Sequence, residues 1–245
     1  MAPSLPASSP AGWFVTLYPG AGEVGGSFRY SVPVQRSPGG GDPERSREEA
    51  ARRAGRKVRR YCAHNRLNRL GTLTYRGQGC HDPIQLRRDV AQFFRSLRQL
   101  LGEDPFPYVW VPEWHKTDHG LHVHFAAGRF IPRRLIEQAW GHGFVHIKLL
   151  GQLAAGAGPR DEARVAARYL SKYVRKSIDE RRIANRHRYE VAQGFQPTTV
   201  PLHARTVDDV LALAIAAMGG EPTDVWLSDE AIGWEGPPSV WAMWP

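Results

Sequence analysis

The stretch PYVWVPEWHKTDHGLHVHFAA, residues 107–127, decides the fold that we expect for this chain. Apolar and β-branched residues recur on both sides of the short segment KTDHG, which predicts strands at 107–115 and 121–127. The link between these strands is too short for a crossover connection, so they are antiparallel neighbours. The sequence therefore predicts a hairpin inside a mainly antiparallel sheet.

The segments around this hairpin predict an α+β fold. Strands are predicted at 12–18, 27–34, 70–75 and 143–150, and helices at 44–66, 82–102, 132–141, 161–177 and 206–218. This order is typical of a central sheet of about five mainly antiparallel strands, with helices packed on one face and the other face free for a ligand. We expect a flexible N-terminus over 1–11, a main domain over 12–190, and a C-terminal extension of unknown role over 191–245.

The charge of the chain favours a nucleic-acid partner. Lysine and arginine number 33 against 24 aspartates and glutamates, and the sequence pI is about 9.9. Residues 52–69 hold seven arginines and one lysine without a single acid. A charge run is usually only a solvated surface, but this one suits contacts with phosphate. The contacts predicted from basic side chains are Arg56, Lys57, Arg59, Arg60 and Arg168.

The two cysteines and the hydropathy predict a cytoplasmic protein. Cys62 and Cys80 each have a histidine nearby, but the spacing matches no familiar zinc site, so free thiols in a reducing compartment are expected. No run of about 18 apolar residues exists, which predicts no membrane contact. The N-terminus lacks the basic and apolar regions of a signal peptide.

Two histidines of the hairpin predict a metal site. If the turn is centred on Asp118 and His119, Glu113 lies opposite His124 and His115 lies opposite His122. The two-residue period of a strand then puts all four side chains on one face of the sheet. Two imidazoles and a carboxylate could hold one divalent cation and leave positions open for substrate. An ordinary half-exposed sheet surface is the alternative, and His115 is either a supporting hydrogen-bond donor or a substrate contact.

The helix at 161–177 predicts a nucleophile. Tyr169 and Tyr173 are four residues apart and share one helix face, and Lys172 lies beside Tyr169. An aromatic stripe packed on the sheet is the simplest interpretation of this spacing. However, a separate apolar stripe already serves to bury the helix, so the tyrosines are available for chemistry; that stripe contains Val165, Ala166, Leu170 and Val174. A phenol among cations suits attack on phosphate.

Three segments resemble, in order and spacing, the motifs of the HUH endonucleases. RLGTLTY (69–75) is similar to the first motif, EWHKTDHGLHVHF (113–125) to the second, and YLSKYV (169–174) to the third. The two-tyrosine form resembles rolling-circle replication initiators of the phage and plasmid gene II type. The resemblance covers about residues 60–178. It implies an RRM-like or ferredoxin-like HUH palm, a nickase domain over 12–190, and DNA contacts from Thr72 and Thr74.

The resemblance also implies a reaction. Glu113, His122 and His124 would hold Mg²⁺ or Mn²⁺, and a tyrosine would attack the scissile phosphate of single-stranded DNA at a replication origin. The products would be a 5′-phosphotyrosine and a free 3′-OH. Single-tyrosine relatives keep the tyrosine three residues before the lysine, which favours Tyr169 as the first nucleophile; Tyr173 would make a second cleavage and Lys172 would neutralise charge.

The same resemblance implies partners and a setting. The chain has no G-x-x-x-x-G-K-[ST] motif, so a host helicase and a DNA polymerase are expected to supply the motor and the synthesis. The expected setting is the cytoplasm of a bacterial cell, with the protein encoded by a plasmid or phage.

Other functions remain open from the sequence. An HUH-type transposase or a small mobilisation relaxase would use the same chemistry, and a metal hydrolase could use the two histidines with structural tyrosines. A non-catalytic single-strand-binding module would need aromatic residues exposed on the strand face. Trp110, Trp114 and Phe125 are the candidates, although parity puts Trp114 on the face opposite Glu113.

Overall fold

The computed structural model describes residues 11–31, 43–148, 157–176 and 188–245. Within these ranges the chain forms two antiparallel five-stranded sheets and five α-helices, which confirms the predicted α+β class. It divides into two compact units. One unit comprises residues 41–196, and the other joins residues 1–40 to residues 197–245.

The bounds of the elements agree closely with prediction in the middle of the chain. The strands are β1 (Gly12–Tyr18), β2 (Glu23–Arg29), β3 (Arg69–Tyr75), β4 (Tyr108–Trp114), β5 (Leu121–Ala127), β6 (Gly143–Lys148), β7 (Glu190–Val191), β8 (Val200–Ala204), β9 (Asp224–Leu227) and β10 (Ser239–Met243). The helices are α1 (Pro43–His64), α2 (Pro83–Leu100), α3 (Arg133–Trp140), α4 (Pro159–Lys176) and α5 (Val207–Met218).

The sheet of the 41–196 unit has the order β6-β3-β5-β4-β7. Helices α2 and α3 pack on one face around Phe93, Phe125 and Trp140. Helices α1 and α4 pack on the other face around Val58 and Leu170. The helices therefore lie on both faces, whereas the sequence predicted one. The packing of α1 against the sheet was not predicted because the helix is rich in arginine. Its arginines face outward, and only a narrow apolar stripe packs inward.

Cap residues fix the starts of two helices. The Asp82 carboxylate accepts a hydrogen bond from the Ile84 N–H at 2.8 Å, and Pro83 occupies the first position of α2. Thr206 caps α5 by accepting from the Asp209 N–H at 3.1 Å. These local signals explain why both starts were predictable from the sequence.

The second sheet has the order β8-β1-β2-β10-β9, with α5 contributing to its core. The domain expected over 12–190 would contain the first two strands, but in the structure these strands pair with β8 and β10. Strand β2 also starts at Glu23 rather than Ser27. Within this strand, position 26 requires glycine because a Cβ there would lie 2.1 Å from the Phe14 carbonyl oxygen.

The central hairpin has a different register from the predicted one. Glu113 pairs with His122, and Val111 pairs with His124, so the predicted pairing of Glu113 with His124 is wrong by two residues. Gly120 adopts a φ of 81° and its carbonyl accepts from the His115 N–H at 2.7 Å, which centres the turn between Thr117 and Asp118 rather than between Asp118 and His119. A shift of two residues preserves parity, so the predicted face of each side chain stands.

The two cysteines are free, as predicted, and both are buried. Burial in the core beneath α1 raises the pKa of the Cys62 thiol far above its usual range. The Cys80 thiol donates to the Asp82 carbonyl oxygen at 3.4 Å. Among the helices that the structure describes, none has the length and apolar character needed to cross a membrane.

Candidate metal centre and tyrosine pair

Three side chains from the central hairpin meet at one point on the α1/α4 face of the sheet. Glu113 Oε2 lies 3.0 Å from His122 Nε2 and 2.8 Å from His124 Nε2, and the two imidazole nitrogens are 3.0 Å apart. Both histidines are buried. The hairpin pairing positions them, because Glu113 faces His122 directly across the strands. We call these three residues the triad.

The triad fits a divalent cation. Ligand atoms at right angles around an ion, each about 2.1 Å from it, are separated by about 3.0 Å. The three distances within the triad are close to that value. When both imidazoles carry their proton on Nδ1, the triad directs three lone pairs at one point, an arrangement that a cation stabilises. The triad could therefore hold a metal ion in a facial arrangement that leaves further positions open.

Thr72 on β3 orients one of the ligands. Its Oγ1 lies 3.0 Å from His124 Nδ1, and Thr72 pairs with His124 across the sheet. When Nδ1 carries the proton and donates to Thr72, Nε2 is left with its lone pair directed at the triad centre. By contrast, His122 Nδ1 is buried and has no hydrogen-bond partner among the described residues. Thr72 was predicted as a DNA contact, and the structure places it behind His124, a candidate metal ligand.

Replacing Thr72 by valine is expected to weaken Mn²⁺ binding by about 10- to 100-fold, because the isosteric side chain no longer fixes the His124 ring. Isothermal titration calorimetry of the purified protein with MnCl₂ would measure the change. Thr72→Ser keeps the hydroxyl and should retain most of the affinity. Thr74→Val, on the same strand face, serves as the matched control; equal dissociation constants for Thr72→Val and wild type would contradict the role of the hydroxyl.

His115 does not join the triad. Its ring centroid lies 5.4 Å from that of His122, and its Nδ1 accepts from the Thr117 N–H at 3.2 Å. The imidazole is exposed at the end of the hairpin. The hydrogen bonds described for the His115 imidazole go to Thr117 rather than to His122 Nδ1, so its supporting role stays a prediction.

Helix α4 brings both predicted tyrosines onto the triad. The ring of Tyr173 stacks on His124 with centroids 3.7 Å apart and planes inclined by 16°. Tyr169 approaches the same imidazole edge-on at 5.8 Å. The Tyr173 hydroxyl donates to the Tyr169 oxygen at 2.8 Å. Two phenols thus stand beside a cluster that could bind metal, in a partly buried position.

Burial, together with the hydrogen bond to Tyr169 and the nearby charge of Glu113, raises the pKa of Tyr173 above its ordinary value. The neutral form of the Tyr173 phenol is therefore favoured at this position more strongly than in water.

A cation that lies over the Tyr169 ring was not predicted. Lys148 Nζ, at the end of β6, lies 4.5 Å from the centroid of the Tyr169 ring, within range of a cation–π contact. Lys172 is exposed on α4. Helical spacing predicts only which residues of the same helix are neighbours, whereas Lys148 belongs to strand β6. No signal in the sequence marks it.

The predicted DNA contacts lie mostly on the outer surfaces of α1 and α4. Arg56, Lys57 and Arg168 are exposed, and Arg59 and Arg60 are partly buried. Thr74 lies on β3, two residues beyond Thr72. These side chains do not converge on the triad as the histidines and tyrosines do.

The aromatic residues proposed for a binding module have other roles. Trp110 and Phe125 are buried in the core on the α2/α3 side, and Trp114 packs against that core. They are unavailable for stacking on bases, which removes the sequence support for an RRM-like binding surface formed by these three residues.

The fold and site together define an antiparallel sheet whose central strands carry a candidate metal centre served by a tyrosine-bearing helix. Residues 68–178 match the family model of replication-associated proteins of the ORF2 and gene II type, which is just under half of the chain. The match runs from the start of β3 to the end of α4 and contains the triad and both tyrosines. No curated protein and no solved structure matches at a significant level. The family match supports a replication-associated protein.

Proposed function

We propose that this protein is a rolling-circle replication initiator of the HUH type, which nicks single-stranded DNA at an origin and joins itself to the 5′ end. The observation that carries the proposal is the contact between the tyrosine pair and the triad, with Tyr173 stacked on His124 at 3.7 Å. A structural tyrosine pair has no need of two imidazoles and a carboxylate at that point. The family match to replication-associated proteins supports the same conclusion.

In the proposed reaction the Tyr169 oxygen attacks the scissile phosphorus and loses its proton. The bond from phosphorus to the 3′ oxygen breaks, the leaving oxygen takes up a proton, and a 5′-phosphotyrosine remains with a free 3′-OH. The hydrogen bond donated by Tyr173 stabilises negative charge on the Tyr169 oxygen. Glu113, His122 and His124 would hold Mg²⁺ or Mn²⁺, which supplies charge stabilisation at the phosphate.

The distribution of charge supports DNA as the substrate. All but three of the 33 lysines and arginines lie in residues 41–196; the exceptions are Arg29, Arg36 and Arg205. Residues 197–245 carry seven acidic residues against that one arginine. Contacts with the phosphate backbone are therefore expected from the unit that holds the triad. A host helicase and a DNA polymerase would complete replication.

The decisive experiment captures the covalent product from random sequences, so that it does not require a known origin. The protein is incubated with MnCl₂ and a library of single strands whose central bases are randomised. Protein–DNA adducts that survive denaturation are isolated and their attached strands sequenced. We expect adducts enriched in one sequence that ends at a defined 5′ nucleotide.

The controls separate this chemistry from tight binding. EDTA should abolish the adducts, and the Tyr169→Phe/Tyr173→Phe double variant should form none. The proposed function would be overturned if adducts persist in that double variant. It would also be overturned if wild type forms no adducts, either with the library or with single strands of the replicon that encodes the protein.

A further inference from the structure

Phe144 is an exposed aromatic residue beside the triad that the proposed reaction does not use. It lies on β6, the outer strand of its sheet, and its exposed fraction is 69%. Single exposed apolar side chains are common on protein surfaces, so the position of Phe144 relative to the triad, rather than its exposure alone, indicates a binding role.

The pairing of the strands puts Phe144 on the same face as the triad. Phe144 pairs with Thr74, and His146 pairs with Thr72, which in turn pairs with His124 on β5. Strand residues two apart point to the same side, so Phe144, Thr74 and His122 follow one another across three strands. Because neighbouring strands are about 4.8 Å apart, Phe144 stands roughly 10 Å from His122.

Among the residues that the structure describes, this side of the face is open, and it favours an anionic ligand. Helix α4 contacts β4 and β5, and the β6 side chains on this face are exposed. Along strands β3 to β6, all of which the structure describes, Glu113 is the one carboxylate on this face. Lys148 lies at the end of the same row of β6 side chains, over the Tyr169 ring. An aromatic surface with a cation close by is the combination that binds a single nucleic-acid strand.

We propose that Phe144 stacks on a base of the bound single strand and so positions the nucleotide next to the phosphate that is cleaved. The inference rests on the proposed function, since the strand must cross the triad to reach β6. Stacking suits this position because every base has an aromatic face, whereas hydrogen-bonding groups that could read one particular base are few on β6. Phe144 is thus a positioning residue that acts through the substrate.

The test compares two labelled strands of about 20 nucleotides, one a thymidine homopolymer and the other an abasic backbone of equal length. Binding is measured by fluorescence anisotropy in EDTA, so that no cleavage occurs. Phe144→Ala is expected to weaken binding of the thymidine strand by about tenfold and to leave the abasic strand nearly unchanged. Phe144→Trp should bind the thymidine strand at least as well as wild type.

Phe130 provides the matched control. It is 71% exposed but lies between β5 and α3, at the opposite end of β5 from His122. Phe130→Ala should leave both affinities unchanged. Thermal melting of each variant checks that it folds, and an exposed side chain should be dispensable for that.

Several results would overturn the proposal. Equal weakening with both strands would assign Phe144 a structural role, and no weakening would exclude contact with a base. A change in oligomeric state without a change in DNA binding would mean that a second copy of the chain covers this surface. Since the assay needs no catalysis, these failures are distinct from failure to form the covalent adduct.

Discussion

A Tyr169→Phe protein is expected to form at least about 10⁴-fold less covalent adduct per unit time than wild type, because the nucleophilic oxygen is gone. The assignment rests on the hydrogen bond in which Tyr173 donates and Tyr169 accepts at 2.8 Å. The hydrogen bond from Tyr173 stabilises the Tyr169 oxygen as negative charge develops on it during the attack. The Tyr173 hydroxyl already uses its proton in this hydrogen bond, so Tyr169 is the better nucleophile. Adduct formation on the strand enriched from the library, followed on denaturing gels, measures the rate.

Tyr173→Phe is the matched control for this prediction. It keeps the ring stacked on His124 and removes the hydrogen bond donated to Tyr169, so we expect a loss of about tenfold in the first cleavage. The reverse pattern, with Tyr169→Phe active and Tyr173→Phe inactive, would exchange the roles of the two tyrosines. Mass spectrometry of the adduct identifies the modified residue directly.

His122→Ala is expected to reduce metal-dependent cleavage by roughly 10²- to 10³-fold, while binding of single-stranded DNA changes little. The two effects separate because the triad acts on one phosphate, whereas affinity rests mainly on contacts spread along the backbone. A second measurement does not depend on cleavage. Mn²⁺ should raise the melting temperature of wild type by mass action, and His122→Ala should lose this increase.

The control for the metal effect is His146→Ala. This histidine is exposed on β6, on the same face of the sheet, and lies outside the triad. Its variant should keep the Mn²⁺-dependent increase in melting temperature. If Mn²⁺ leaves wild type unchanged, the triad is a hydrogen-bonded cluster rather than a metal centre. Equal losses of cleavage and of DNA binding in His122→Ala would indicate that His122 has a structural role.

The sequence predicted the faces of the hairpin better than its register. Parity places Glu113, His122 and His124 together for any register shifted by an even number of residues, so the error of two did not move the triad. The register itself depends on contacts far along the chain. Leu121 donates its N–H to the Cys80 carbonyl oxygen at 2.6 Å, and no local turn signal contains that information.

Contacts between elements account for the features that the sequence missed. Helical spacing placed Tyr169 and Tyr173 on one face, but Lys148 reaches Tyr169 from a strand. Thr72 was assigned to DNA because its strand resembles a DNA-binding motif, and its bond to His124 becomes apparent only once β3 and β5 are paired. The strands after residue 197 escaped prediction because they are short and their partners are distant in the sequence or equally short: β8 pairs with β1, β10 with β2, and β9 with β10.

The unit that joins residues 1–40 to residues 197–245 is built from two separate parts of the chain, which has a consequence for synthesis on the ribosome. The hairpin of β1 and β2 emerges first, yet its two outer neighbours are β8 and β10, and β10 ends at Met243. Residues 41–196 are made in the interval and contain a complete sheet of their own. The region with the triad can therefore acquire its structure while both edges of the early hairpin still lack partners, and the sheet of the other unit is completed only once β10 has been made.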